Sequence, residues 1–168
     1  FLRDDFHGRN GIVYRFSARF ALCRCAVRDF ARFSRVVGSL TNVALPKSLT
    51  SIGIEAFARC EKLESFTVEA GNSAYSAVDG VLFSKDMTTL ILYPAAKTAA
   101  SYVIPDSVKT IKTFAFMDAK KLTEIKLPDG LTSIEDRAFF NDDFLITVSI
   151  PDSVESIGNG VFIGCLQL

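Results

Sequence analysis

Catalysis by a nucleophile and base would have to draw on His7, the single histidine of this 168-residue chain. His7 lies outside the regular part of the sequence, so no Ser-His-Asp or Cys-His relay is supported by spacing. The four cysteines are Cys23, Cys25, Cys60 and Cys165. Cys23 and Cys25 lack the second ligand pair of a structural zinc site, and four thiols are too few for a disulfide scaffold or to fix the redox compartment. Adjacent acids occur at Glu135-Asp136 and Asp142-Asp143. A glycosidase pair needs two carboxyls facing each other across a cleft, one with a raised pKa, so these neighbours read as solvated residues on an outer edge. Calcium would accept such acids, but no loop motif surrounds them. There is no Gly-rich phosphate loop. The pattern predicts a chain that is not an enzyme and carries no metal or cofactor.

The elements that would have to position any site announce themselves by repetition. Pro105, Pro128 and Pro151 follow one another at 23 residues, inside Ile104-Pro-Asp-Ser-Val108, Leu127-Pro-Asp-Gly-Leu131 and Ile150-Pro-Asp-Ser-Val154. Phe116, Phe139 and Phe162 keep the same step, each eleven residues after a proline. Pro46 and Phe57 keep that internal offset and precede their next counterparts by 59 residues, which is one repeat of 23 and one expanded to 36. In Ile125-Lys126-Leu127 the apolar residues alternate with a polar one, the period-two mark of a short strand buried on one face. Proline cannot donate to a ladder, so each Pro closes its strand and opens a turn. Leu131, Ile134, Ala138 and Phe139 must return beneath the strand. A unit this small cannot enclose its own apolar residues, so neighbours must stack into a continuous core.

These residues resemble the BspA-like leucine-rich-repeat family of short-period surface proteins. Leu145 to Cys165 meets the pattern Leu-x-x-Ile-x-Ile-Pro-x-x-Val-x-x-Ile-Gly-x-x-Ala-Phe-x-x-Cys almost completely, and Leu40 to Cys60 nearly as well. Asn72-Ser-Ala-Tyr75, Asp79-Gly-Val-Leu-Phe83 and Thr89-Leu-Ile-Leu-Tyr-Pro94 are similar to a hairpin insertion that members of the family carry. Lys112 and Glu135 stand where Gly53 and Gly158 stand, and Ala119 and Asp142 replace the usual Cys. The resemblance covers residues 40–168. It implies a right-handed, β-rich leucine-rich-repeat solenoid of five or six coils, with a parallel sheet on one face and a β-hairpin inserted in an expanded repeat at 63–102. Leu168 holds the first leucine position of another unit, so further repeats of the same chain are expected.

The formal net charge of zero hides an asymmetry: residues 1–40 hold eight Arg and three Asp, leaving 11 Lys/Arg against 16 Asp/Glu elsewhere. A mildly acidic array argues against a nucleic acid held by phosphate contacts. Within residues 1–39, Phe16, Phe20, Cys23, Val27, Phe30 and Val37 follow helical spacing, with Arg24, Arg28, Arg32 and Arg35 on the other side and Gly38 as a stop. Four readings stay open: an amphipathic helix capping the first repeat, a basic helix touching a membrane surface through residues 15–37, a disordered segment, or a shifted reading frame.

What remains is surface. With Ile125 and Leu127 facing inward, Glu124 and Lys126 face outward, and their counterparts Asn42, Ala44, Ser65, Thr67, Val103, Thr147 and Ser149 line up across parallel strands. Strands are expected near 42–45, 65–68, 102–104, 124–127 and 147–150, in one parallel sheet. Phe57, Phe116 and Phe139 are expected to be buried between coils. An extended ladder of this kind suits a protein partner. By resemblance the chain is a cell-surface or secreted module for adhesion, bound to host or cell-surface proteins. The alternatives are a targeting or spacer module of a larger secreted enzyme, and an intracellular scaffold.

Overall fold

The computed structural model describes residues 5–8, 12–17, 20–21, 40–54, 56–58 and 60–168. Five stacked coils begin at Leu40, Leu63, Ala99, Leu122 and Leu145 and are numbered 1 to 5 in that order. Their strands are β4 (Asn42–Leu45), β5 (Ser65–Val68), β9 (Ser101–Val103), β11 (Glu124–Lys126) and β13 (Thr147–Val148). Partners are 23 residues apart, as in Val43 with Phe66 and Ile125 with Val148, so each unit repeats the hydrogen-bonding environment of the last. The alternation holds: Val43, Phe66 and Ile125 are buried while Thr67, Glu124 and Lys126 are exposed.

The strands do not form the single sheet expected. β4 and β5 pair in one parallel sheet and β9, β11 and β13 in another. The break lies at the insertion, whose hairpin is β6 (Tyr75–Val78) and β7 (Val81–Ser84). Its turn sits against β5, where the Phe66 N–H donates to the Gly80 carbonyl at 2.8 Å. A Cβ at Gly80 would lie 2.8 Å from the Ser65 Cβ, and its φ of +78° is left-handed, so glycine is required twice over. The hairpin thus occupies the edge of β5 that the next coil's strand would otherwise pair with.

A third sheet, not read from the sequence, runs along the opposite face. It joins β10 (Thr110–Ile111), β12 (Ser133–Ile134) and β14 (Ser156–Ile157) in parallel, and continues through β8 (Thr89–Leu92) into the hairpin. The chain coming back beneath each strand therefore builds its own ladder. β8 pairs in parallel with β10, so the end of the insertion takes the back-sheet place of coil 2.

β7 is buried along Val81, Leu82 and Phe83 and works as a partition. Val81 and Phe83 belong to the core of coils 3 to 5, whereas Leu82 packs with Val43, Phe57 and Phe66 in the core of coils 1 and 2. Opposite faces of one strand serve two cores because successive side chains point opposite ways. Asn72 fixes the start of the insertion. It is 1% exposed, its Nδ2 donates to the carbonyls of Pro46 and Leu49, and its Oδ1 accepts from the N–H groups of Ala74 and Tyr75.

Behind the strands the chain turns through left-handed residues that also step by 23. Phe114, Arg137 and Gly160 have φ of 59°, 51° and 61°, and Asp118, Asn141 and Gly164 have 60°, 59° and 84°. Between them stands a column of rings. Phe116 and Phe139 stack at 4.9 Å, Phe139 and Phe162 at 5.3 Å, and Tyr93 extends the column with a 5.1 Å stack on Phe116. Phe57, Phe116 and Phe139 are buried as expected.

The helix expected from Phe16 is corrected at its start. Phe16 lies in β2 (Ile12–Ser17), which pairs antiparallel with β1 (Asp5–Gly8) and with β3 (Phe20–Ala21), and β3 pairs in parallel with β4. Ile-Val-Tyr-Arg-Phe-Ser is rich in β-branched and aromatic residues, which favour an extended backbone over a helix. The rest of that stretch, including Cys23, Val27, Phe30, Val37 and its arginines, lies outside the described residues.

Candidate functional site

The outward ladder comes together in two blocks. Asn42 is paired with Ser65 and Ala44 with Thr67 on the first sheet. On the second, Glu124 lies between Ser101 and Thr147, and Lys126 lies beside Val103. Ser149 follows the end of β13 and is exposed. Asn42, Ala44 and Ser65 are half-buried, and the Ser65 hydroxyl donates to Asn42 Oδ1, so this corner spends its polarity on itself. The second block is freer: Ser101, Val103, Glu124, Lys126 and Thr147 are all exposed, and Val103 is an apolar spot at 64% exposure. Ser101 is an addition to the expected ladder, because β9 begins one residue before the strand expected from the sequence. The 23-residue step back from Glu124 lands on it. The hairpin stands between the blocks, so the face is interrupted rather than continuous.

The acids have other roles than solvation. Glu135 accepts from Lys112 Nζ at 2.7 Å and from the N–H and hydroxyl of Thr113 at 3.0 and 2.9 Å. Burial pushes its pKa up, but these bonds outweigh burial and hold the carboxyl below its ordinary range. Asp136 Oδ1 accepts from the Asn159 N–H at 2.7 Å. Both acids therefore tie one coil to the next, and at the first of these positions a Gly could make no such contact. Asp142 is fully buried, which corrects its reading as an edge residue. It fills the slot three residues after the column phenylalanine, held by Cys60 and Cys165 in coils 1 and 5 and by Ala119 in coil 3. One oxygen accepts from the Ala119 N–H at 2.8 Å and the other has no partner among the described residues. Burial drives its pKa to about 8. No substrate reaches a group with no exposed surface, so this raised pKa belongs to packing and not to acid catalysis.

Cys60 and Cys165 behave as packing thiols. Burial pushes them to about 12 and about 11, far from the thiolate a nucleophile needs, and the Cys165 Sγ–H donates to the Phe139 carbonyl at 3.0 Å. Among the described residues no three His, Cys, Asp or Glu side chains gather as a metal site.

The family model for the BspA type leucine rich repeat region, in six copies, matches residues 31–91 and 93–168. The chain belongs to the BspA-type leucine-rich-repeat family. No curated protein matches it, whereas several solved structures do. A leucine-rich repeat protein from Eubacterium ventriosum is 36% identical over 77% of this chain and 35% of its own, with a TM-score of 0.75. The pneumococcal vaccine antigen PcpA is 35% identical over 77% of this chain and 38% of its own, at 0.64. A leucine rich cell surface protein from Faecalibacterium prausnitzii is 27% identical over 77% and 40%, at 0.53. The match thus spans well under half the length of each of these relatives. In this BspA-type chain the 23-residue step, the ring column and the inserted hairpin are the features that carry the fold, and the buried or paired acids and thiols of the coils are spent on joining them.

Proposed function

We propose that this chain is a non-catalytic binding module displayed on a cell surface or secreted, and that its second ladder block engages a protein partner in adhesion. The observation that carries this reading is the exposed pattern Ser101-Glu124-Thr147 and Val103-Lys126 on parallel strands, a rigid surface mixing an acid, a base and an apolar spot. Such a surface is formed before its partner arrives, so binding loses little ordering entropy. The likeness to a vaccine antigen and to a cell surface protein supports display outside the cell.

The test is binding of the immobilised chain to a panel of purified extracellular host proteins, compared with a Glu124→Lys, Lys126→Glu, Thr147→Arg variant. Reversing the charges preserves the outward positions and the inward core. A captured protein should be released at least about tenfold more readily by the variant, with the circular-dichroism melt unchanged. Equal binding by both would remove the ladder from the account.

A further inference from the structure

The inserted hairpin leaves a gap on the back of the molecule. In coils 3 to 5 the left-handed turns are laced together: Phe114, Phe116 and Asp118 donate their N–H groups to the carbonyls of Asp136, Ala138 and Phe140. Arg137, Phe139 and Asn141 donate in the same way to Asn159, Val161 and Ile163. Coil 2 offers coil 3 only one of these three bonds, from the Tyr93 N–H to the Ala115 carbonyl at 2.7 Å. Pro94 follows and has no N–H to give. The carbonyls of Thr113 and Met117 occupy the places of Asp136 and Phe140 one repeat earlier, and neither has a backbone donor among the described residues. Both residues line a groove of about 130 Å³ between the turns of coil 1 and coil 3.

The walls of this groove state what it can hold. Ile54 and Ala58 come from coil 1, Leu92 and Ala95 from coil 2, and Phe114 and Met117 from coil 3. Ile54 is 78% exposed. The volume is below the several hundred Å³ of a small-molecule site and suits one aliphatic side chain. The carbonyls of Thr113 and Met117, which no donor among the described residues meets, suit backbone N–H groups, which an extended peptide carries along its edge. Glu61 on coil 1 and Asp118 on coil 3 both line the groove, and burial together with the neighbouring Glu61 and Asp143 holds the Asp118 carboxyl above its usual range despite Lys120 and Asn141. A cation placed there would be favoured by both acids. Lys112 also lines the groove, but its ammonium is already paired with Glu135.

We infer that this groove is a docking site for an extended segment of a partner protein, which inserts an aliphatic side chain, donates backbone N–H groups to Thr113 and Met117, and places a Lys or Arg beside Glu61 and Asp118. The segment supplies the turn that coil 2 lacks. This surface is separate from the ladder and does not depend on it.

The probe is a fluorescein-labelled peptide, Ala-Val-Leu-Val-Lys-Ala, with the Lys replaced by Glu in a second peptide. Anisotropy should show the Lys peptide binding and the Glu peptide at least about fivefold weaker, and Glu61→Gln with Asp118→Asn should erase that preference. Gly53 lines the groove, has no left-handed φ, and, its chain neighbours aside, has no atom of the described residues within 4 Å of the point where a Cβ would sit. Gly53→Trp should therefore fill the space without a backbone clash and abolish binding. Amide shifts of the unaltered chain should map the peptide to Thr113, Phe114 and Met117, which settles the site even if a variant folds poorly. Four results would overturn the inference: no binding by either peptide, equal binding of both, shifts confined to Ser101, Glu124 and Lys126, or binding unaffected by a folded Gly53→Trp chain. Self-association that Gly53→Trp removes would assign the groove to a second copy instead and overturn it equally.

Discussion

Phe116 and Phe139 lie with ring centroids 4.9 Å apart and planes 14° from parallel, one coil directly above the other. Both are fully buried, and each also donates its backbone N–H to the coil that follows. Side chain and backbone are therefore locked at the same register, and a ring cannot leave the column without opening a cavity between coils.

Phe139→Ala should cost about 3 to 5 kcal/mol, because Phe139 has a stacked ring on either side. Phe162→Ala should cost less, since Phe162 is only partly buried. Denaturant titration of both variants gives the comparison, and a loss below about 1 kcal/mol at Phe139 would contradict the stacking.

Asp142 makes stability depend on pH with an unusual sign. Its folded pKa of about 8 lies above the value of 3.8 for a free side chain. Below the lower value the carboxyl is neutral in both states and its contribution is fully present. Between the two the folded chain keeps a proton that the unfolded chain has released, so stability falls as pH rises, by at most about 1.4 kcal/mol per pH unit, and levels off above the folded pKa. Asp142→Asn removes this titration and keeps an oxygen for the Ala119 N–H. Unfolding measured from about pH 4 to 9 should show the variant gaining on the parent chain as pH rises. A constant difference across that range would refute the buried, neutral carboxyl.

Gly80→Ala should weaken the joint between the hairpin and β5. The added methyl meets Ser65 at 2.8 Å and the residue must keep a left-handed φ, for a combined loss of about 2 kcal/mol. Hydrogen exchange should speed up at the Phe66 amide, whose acceptor is the Gly80 carbonyl. An unchanged Phe66 rate would show that the turn does not hold that edge.

The legible part of the fold is whatever recurs. Each coil reuses one environment, so Pro128, Phe139 and Ile125 declare their neighbours by spacing alone. The front sheet's division is not legible, because it depends on where the Asp79-Gly80 turn docks, a contact made once. The back ladder is hidden for a different reason: two residues such as Ser133-Ile134 are too short to show a period. Tyr93 and Asp142 do obey the period. Tyr93 stands 23 residues before Phe116 and Asp142 stands 23 before Cys165, but a hydroxyl-bearing ring and a carboxylate do not look like core residues. Glu124 and Lys126 are placed by periodicity, whereas the groove beside Thr113 arises from a missing turn, and an absence leaves no residue to read.

The partition at β7 bears on how the array responds to load. A uniform solenoid shares bending strain evenly among identical interfaces, like a spring of constant pitch. Here Val81 and Phe83 anchor to one core and Leu82 to the other, while the front strands on either side do not pair. The spring is interrupted by a plate, and on the front surface the hairpin's turn, not the next coil's strand, borders β5. Under a pull along the array, curvature concentrates where the strand pairing changes, and the coils on either side keep their shape.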